Sequence, residues 1–224
     1  MTNFKVLADA EAVAREAAAY IFNQIKNCVD MKGECHVVLP GGTTPARCLE
    51  LLADMPLPWK HVHWYPGDER CYPAGHAERN DTMILNKLFH GRKDGTVNFH
   101  PIPAELGPEL GAERFAERIN ATAGIDIVVL GMGEDGHTAS LFPENPALND
   151  SSSVVPVYNA PKPPTERISL SLATLKNAEI CIVIATGANK SEALVNIRNG
   201  LSLPVSMVDP DVWFVDRAAY EPGH

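Results

Sequence analysis

The sequence predicts an α/β fold built on a mostly parallel sheet. Short apolar runs of strand length recur at 35–39, 61–65, 125–130, 180–185 and 212–215. Segments with helical apolar spacing lie between most of them. Polar turns bearing glycine follow the strands and mostly open helices, the alternation expected of a parallel sheet.

In chain order, residues 8–28 are alanine-rich, and Val13, Ala17, Tyr20, Ile21 and Ile25 carry the spacing of an amphipathic helix. The strand at 35–39 runs into Pro40-Gly41-Gly42-Thr43-Thr44-Pro45, a turn that opens a helix reaching about residue 53. Thr44 is the expected N-cap, with Pro45 at the first helical position. The strand at 61–65 ends in Pro66-Gly67-Asp68-Glu69-Arg70, and a polar loop continues to Asn80, where a helix starts and runs to Phe89. Pro101 and Pro103 mark 97–102 as an edge segment. A helix spans 108–121.

The strand at 125–130 feeds a glycine-rich loop. Extended segments follow at 154–158 and 167–172, separated by a proline-rich loop at 160–164. One or two helical turns fit 172–178. The strand at 180–185 leads through Thr186-Gly187-Ala188-Asn189-Lys190 into a helix ending near Asn199, and 212–215 is the last strand. No repeat or break in composition divides the chain, so residues 1–224 are expected to form a single domain, long enough for a sizeable core.

Acidic residues outnumber basic ones 28 to 19, a formal charge of −9, and no run of Lys or Arg appears. That balance argues against nucleic acid or an anionic membrane as partner. An anionic small ligand then needs a local basic cluster. The N-terminal residues lack the apolar core of a signal peptide, and no apolar run is long enough to cross a bilayer. Cys28, Cys35, Cys48, Cys71 and Cys181 are scattered, with no C-x-x-C pair, which favours reduced thiols in the cytoplasm over disulfides or a zinc site.

Four polar loops follow strands: 41–44, 67–70, 131–137 and 187–190. In an open parallel sheet such loops line one crevice. They bring forward Thr43, Thr44, Asp68, Glu69, Arg70, Asp135, His137 and Lys190 as site candidates. The densest is GMGEDGHTAS at 131–140, where glycines allow a sharp turn and a His able to move protons near neutral pH sits beside an Asp. The first loop suits an anion, through exposed backbone N–H groups, a helix N-terminus and two Thr hydroxyls. It is not a P-loop, since the Lys of that motif is missing. Arg167 and Lys190 complete the expected phosphate contacts.

Gly131-x-Gly133-x-x-Gly136 spells the dinucleotide fingerprint, but Glu134 and Asp135 would set carboxylates against a pyrophosphate, and Pro143 and Pro146 interrupt the helix that should follow. His61 and His63 share a strand face without a third metal ligand in sequence, so packing is the expected role. His76, His90, His100 and His224 are expected in solvent. No G-x-S-x-G elbow is present.

Taken together, these loops resemble those of the 6-phosphogluconolactonases. The matching segments are LPGGTTP at 39–45, GDER at 67–70 with Arg79-Asn80, GMGEDGHTASLFP at 131–143, Arg167-Ile168-Ser169, GANK at 187–190 and WFVD at 213–216. The resemblance implies a Rossmann-like three-layer α/β/α fold shared with glucosamine-6-phosphate deaminases. It also implies hydrolysis of 6-phospho-D-glucono-1,5-lactone to 6-phosphogluconate without metal or cofactor. On this reading His137 is the general base, Asp135 orients it and Arg70 stabilises charge on the carbonyl oxygen. Asp68 holds a sugar hydroxyl, and Gly42, Thr43, Thr44, Arg167 and Lys190 bind substrate. A cytoplasmic monomer or weak homodimer is expected.

The deaminases are the main alternative, and a non-catalytic sugar-phosphate sensor is another. Deaminases carry an aromatic residue after Asp-Glu, where this chain has Arg70. They also carry a Glu five residues beyond the motif His, where it has Phe142. Cys71-Tyr72 and Glu78 depart from the lactonase pattern in the loop after Arg70.

Overall fold

The computed structural model describes residues 3–92 and 95–221. His224, expected in solvent, lies outside the described residues, as do Met1 and Thr2. The central sheet uses β1 (Phe4–Leu7), β2 (Cys35–Leu39), β3 (Val62–Pro66), β5 (Asn98–Phe99), β6 (Ile127–Gly131), β9 (Ile180–Ala185) and β10 (Val212–Asp216). Their order is β1-β10-β9-β6-β2-β3-β5, and every pairing is parallel.

The inner strands are buried on both faces, and their side chains alternate between two cores. Val37, Leu39, Trp64, Val129, Ile184 and Phe214 face α1 (Ala10–Lys32), α2 (Thr43–Ala53) and α3 (Asn80–Lys87). Val38, Tyr65, Val128, Leu130, Val183 and Trp213 face the opposite way. There they meet α4 (Pro108–Asn120), α6 (Ser191–Arg198) and a small antiparallel sheet of β4 (Asp68–Arg70), β8 (Arg167–Leu170) and β7 (Val154–Val157). Each buried Val, Leu, Ile or Phe side chain contributes roughly 1.5–3 kcal/mol. The result is the three-layer α/β/α arrangement that the family resemblance implies.

The chain runs β2 to β3 to β5 in one direction and then returns through β6 to β9 and β10 on the other side of β2. The boundary between β2 and β6 is therefore the point where strand order reverses, the position at which such sheets bind ligands. The loops that leave it are 40–43 and 131–138.

Several expectations are corrected. Residues 68–70 form a strand rather than a loop, because Asp68, Glu69 and Arg70 pair with Ser169, Ile168 and Arg167. The helix after β2 begins at Thr43, with Gly42 as N-cap at φ 99°, a left-handed angle that glycine adopts without strain. Thr44 does not cap it; its hydroxyl bonds that of Thr186 at 2.9 Å. β1 was not expected. Its four residues show no clear alternation, and what holds it is packing of Phe4 on Trp213 and on α8 (Arg217–Tyr220) through Tyr220, each at 5.2 Å.

The histidines also differ from expectation. His61 lies in a short 3-10 turn rather than on the strand with His63. His100 is half-buried rather than in solvent, because pairing of β5 with β3 carries it onto His63. His36, His63 and His100 stack successively at 4.8 Å and 5.3 Å. His76 and His90 are exposed as expected. All five cysteines are free. Among the described residues, no helix is long and apolar enough to cross a membrane.

Candidate active site

A cleft of about 720 Å³ opens at the switch point between β2 and β6. Gly42, Thr43, Thr44, Asp68, Arg70, Asp135, His137, Arg167 and Lys190 all line it. Its size suits a small-molecule ligand.

The loop after β6 is built to hold one imidazole. Thr138 Oγ1 donates to the Gly131 carbonyl at 2.8 Å, the Gly133 N–H donates to the His137 carbonyl at 2.8 Å, and the Gly136 N–H donates to Gly133 at 3.1 Å. Asp135 Oδ1 accepts from the His137 N–H at 3.1 Å, an Asx turn, and lies 2.5 Å from His137 Nδ1. A Cβ on Gly133 would stand 2.0 Å from that nitrogen, so the glycine is what permits the ring's position. Partial burial would raise the Asp135 carboxyl, but the hydrogen bond from His137 and its charge outweigh this and hold it at about 2. An ionised carboxylate only accepts, so Nδ1 carries a proton and Nε2 is the nitrogen left to exchange one with a ligand. Among the described residues Nε2 has no protein partner.

The face of the His137 ring is covered by Phe142, with centroids 4.5 Å apart and planes at 45°. Phe142 is buried, and the Arg167 guanidinium lies 5.5 Å from its ring centroid on the cleft side. Arg167 is itself buried, and burial holds it below its ordinary value. Its Nε and Nη2 donate to the carbonyls of Pro164 and Lys162 at 3.2 and 3.0 Å, which ties down the proline-rich loop. Arg70 sits opposite Arg167 across the antiparallel ladder and donates through Nη1 to the Glu78 carbonyl. Two guanidinium groups thus enter one end of the cleft from adjacent strands.

Asp68 is buried and held through both carboxylate oxygens. Ser140 Oγ donates to its Oδ2 at 2.5 Å, and Asn80 Nδ2 donates to its carbonyl and to Oδ1 at 2.8 and 3.0 Å. Behind it, Glu69 is completely buried and accepts from the backbone N–H groups of Arg70, Asn80 and Asp81 at 2.9, 2.7 and 2.8 Å. Burial pushes Glu69 up to about 7 against the pull of those donors. Glu69, raised as a site candidate from its loop, therefore does not face the cleft; it braces β4 against the start of α3.

Lys190 and Lys162 line the cleft, and neither ammonium makes a hydrogen bond or ion pair to a protein group among the described residues. Burial pushes Lys190 below its ordinary value. With the first-turn N–H groups of α2, which lack intrahelical acceptors, these cations form an anion-attracting wall. Sequence reasoning missed Lys162, Asn80, Ser140 and Thr186 as parts of the site. Asn80 was noted only within a motif, and Lys162 only within a proline-rich loop.

A family profile described as Glucosamine-6-phosphate isomerases/6-phosphogluconolactonase matches residues 8–215. The chain belongs to this family. A relative in the rabbit, Oryctolagus cuniculus, named GDH/6PGL endoplasmic bifunctional protein, is 32% identical over 96% of this chain. The chain spans only 28% of that relative's length. A crystal structure of 6-phosphogluconolactonase from Thermotoga maritima is 28% identical and covers 96% of this chain and 100% of its own, with a TM-score of 0.87. A monomeric glucosamine-6-phosphate deaminase is 16% identical, covers 97% of this chain and 98% of its own, and has a TM-score of 0.83, a likeness of fold alone. The family fold therefore accommodates both chemistries, and the site has to discriminate between them.

Proposed function

We propose that this chain hydrolyses 6-phospho-D-glucono-1,5-lactone to 6-phospho-D-gluconate, the second step of the oxidative pentose phosphate pathway. Relatives across the family carry the name 6-phosphogluconolactonase, including the full-length Thermotoga maritima structure. The observation that carries the choice within the family is the neighbourhood of His137. Its Nδ1 is bound to Asp135, and an apolar ring, Phe142, packs on its face where a deaminase is expected to have a supporting carboxylate.

His137 Nε2 takes a proton from a water that attacks C1 of the lactone. Such a positioned base contributes roughly 10²–10⁴-fold. Negative charge developing on the carbonyl oxygen meets Arg70 and backbone N–H groups of the glycine loops. The tetrahedral intermediate collapses with cleavage of the bond from C1 to the ring oxygen, and His137 returns its proton to that oxygen. Asp135 keeps Nδ1 protonated throughout. Asp68, held by Ser140 and Asn80, accepts a hydrogen bond from a sugar hydroxyl. Gly42, Thr43, Thr44, Arg167 and Lys190 bind the phosphate, joined by Lys162, and that remote binding energy positions C1.

The reading calls for neither metal nor cofactor. It treats residues 1–224 as one domain acting in the cytoplasm, as a monomer or weak homodimer, without nucleic acid or membrane as partner. The test is purified protein with freshly generated lactone, followed by acid release above the spontaneous rate. Glucosamine 6-phosphate is supplied in parallel and ammonia measured. Accelerated lactone loss with no ammonia supports the proposal. Ammonia release would favour the deaminase, and binding of 6-phosphogluconate without acceleration would favour a sensor.

A further inference from the structure

Glu134 sits in the loop after β6, one residue before Asp135, and faces the cation-bearing side of the cleft. It is exposed, so no packing requirement explains it there. Its Oε1 accepts from Asn189 Nδ2 at 3.0 Å, which fixes the carboxylate against the loop that carries Lys190. Lys162 lines the same cleft. Neither lysine makes a hydrogen bond or ion pair to a protein group among the described residues, and Lys190 also feels the charge of Asp135. The carboxylate is held below its usual range by the Asn189 bond first and then by the charges of Lys162 and Lys190, so at neutral pH it is an anion beside two cations.

Resting on the proposed phosphate role of this wall, we propose that Glu134 is a resident counter-anion for Lys162 and Lys190 that competes with the substrate phosphate and so sets the affinity for phosphorylated ligands. A carboxylate near two lysines lowers the potential available to an incoming dianion. It weakens substrate and product alike, which keeps the product from lingering where four cationic side chains converge. It also restricts the effect to ligands that carry a phosphate, because the reacting carbon is handled by His137 and Arg70.

The test uses the intact protein, inorganic phosphate as probe, and two substrates, the 6-phosphorylated lactone and the unphosphorylated glucono-1,5-lactone. Glu134→Gln keeps the oxygen that accepts from Asn189 and removes only the charge. Phosphate is expected to bind E134Q about three- to tenfold more tightly than wild type at low ionic strength, with the gain shrinking as salt is added. KM for the phosphorylated lactone is expected to fall by a similar factor, while kcat/KM for the unphosphorylated lactone stays unchanged. A merely structural role would alter both substrates together. Lys190→Ala run alongside separates the two layers. If K190A weakens phosphate binding and E134Q leaves it unchanged or weaker, the counter-anion role is overturned and the phosphate site stands. If K190A leaves phosphate binding unchanged, the phosphate site itself is refuted and this inference with it.

Discussion

His137 Nδ1 and Asp135 Oδ1 lie 2.5 Å apart although only one residue separates them in the chain. The turn closes so tightly that the same carboxylate oxygen also receives the His137 backbone N–H. Base and orienting group are thereby carried on one short loop at the switch point of the sheet. Replacing His137 with Ala is expected to lower turnover by roughly 10²–10⁴-fold with the fold retained, read by initial rates beside a circular dichroism spectrum. Wild-type turnover would remove His137 from the chemistry.

Asp135→Asn keeps the shape and removes the charge that holds the proton on Nδ1. A fall of roughly 10²-fold or more in kcat is expected, with KM little changed. The folded carboxyl at about 2 lies below its ordinary 3.8, so its favourable pairing is complete above about pH 4 and is lost only as pH falls through about 2. A wild-type activity profile between pH 5 and 8 therefore carries no limb from Asp135. Acid unfolding equally steep for wild type and D135N between pH 4 and 2 would contradict the low carboxyl of Asp135.

Gly133→Ala tests the close approach directly. The backbone there is not in the left-handed region, yet the added methyl carbon would fall 2.0 Å from His137 Nδ1 and 2.7 Å from Asp135 Oδ1. The ring has to move, and a displacement of about 1 Å at a reacting group costs on the order of 10²-fold in rate. The expected variant is folded and nearly inactive. An active G133A would mean that the loop relaxes without moving the base.

Lys190→Ala is expected to raise KM for the phosphorylated lactone roughly tenfold, with a smaller change in kcat, since a charge-assisted contact to phosphate is worth about 1.5–3 kcal/mol. Arg167→Lys is expected to do more. It loses the two donors that hold the Pro164 and Lys162 carbonyls, so the loop bearing Lys162 loosens as well. An R167K variant with wild-type KM would place the phosphate elsewhere.

The histidine stack beneath the sheet makes stability depend on acid. Burial first, then Arg118, His63 and His36, push His100 down to about 4. Arg118 Nη1 donates to its Nδ1 at 3.1 Å, so the neutral ring donates from Nε2 to His63 Nδ1 at 3.0 Å. His63 is also pushed down, by burial and by His36, against the opposing charge of Glu34. His36 Nδ1 lies 3.0 Å from the Tyr65 hydroxyl. Because the folded value of His100 lies below 6.5, its contribution is complete above about pH 6.5 and is lost as pH falls towards 4. The thermal midpoint is expected to fall by a few degrees across that window, and less steeply in His100→Asn. Equal slopes in both proteins would discount the stack.

Much of the fold was legible because strands buried on both faces are apolar throughout, as 180–185 and 125–130 are. Asp68–Arg70 has the look of a loop in sequence because a three-residue strand has no periodicity to detect; it exists through its partner at Arg167–Leu170, about 100 residues away. The cap at Gly42 was misassigned because Thr44 carries the composition of a cap, while its hydroxyl is taken by Thr186, a residue 142 positions away.

Local spacing and side-chain chemistry suffice for the α/β alternation, the four glycine-bearing segments and the Asp and His that share one of them. Which groups meet is settled by packing of the layers. Ser140 closing on Asp68, Lys162 facing the cleft near Lys190, and His100 stacking on His63 all depend on strand order and register. Contacts between distant segments are selected by how the layers pack, and no local pattern encodes them.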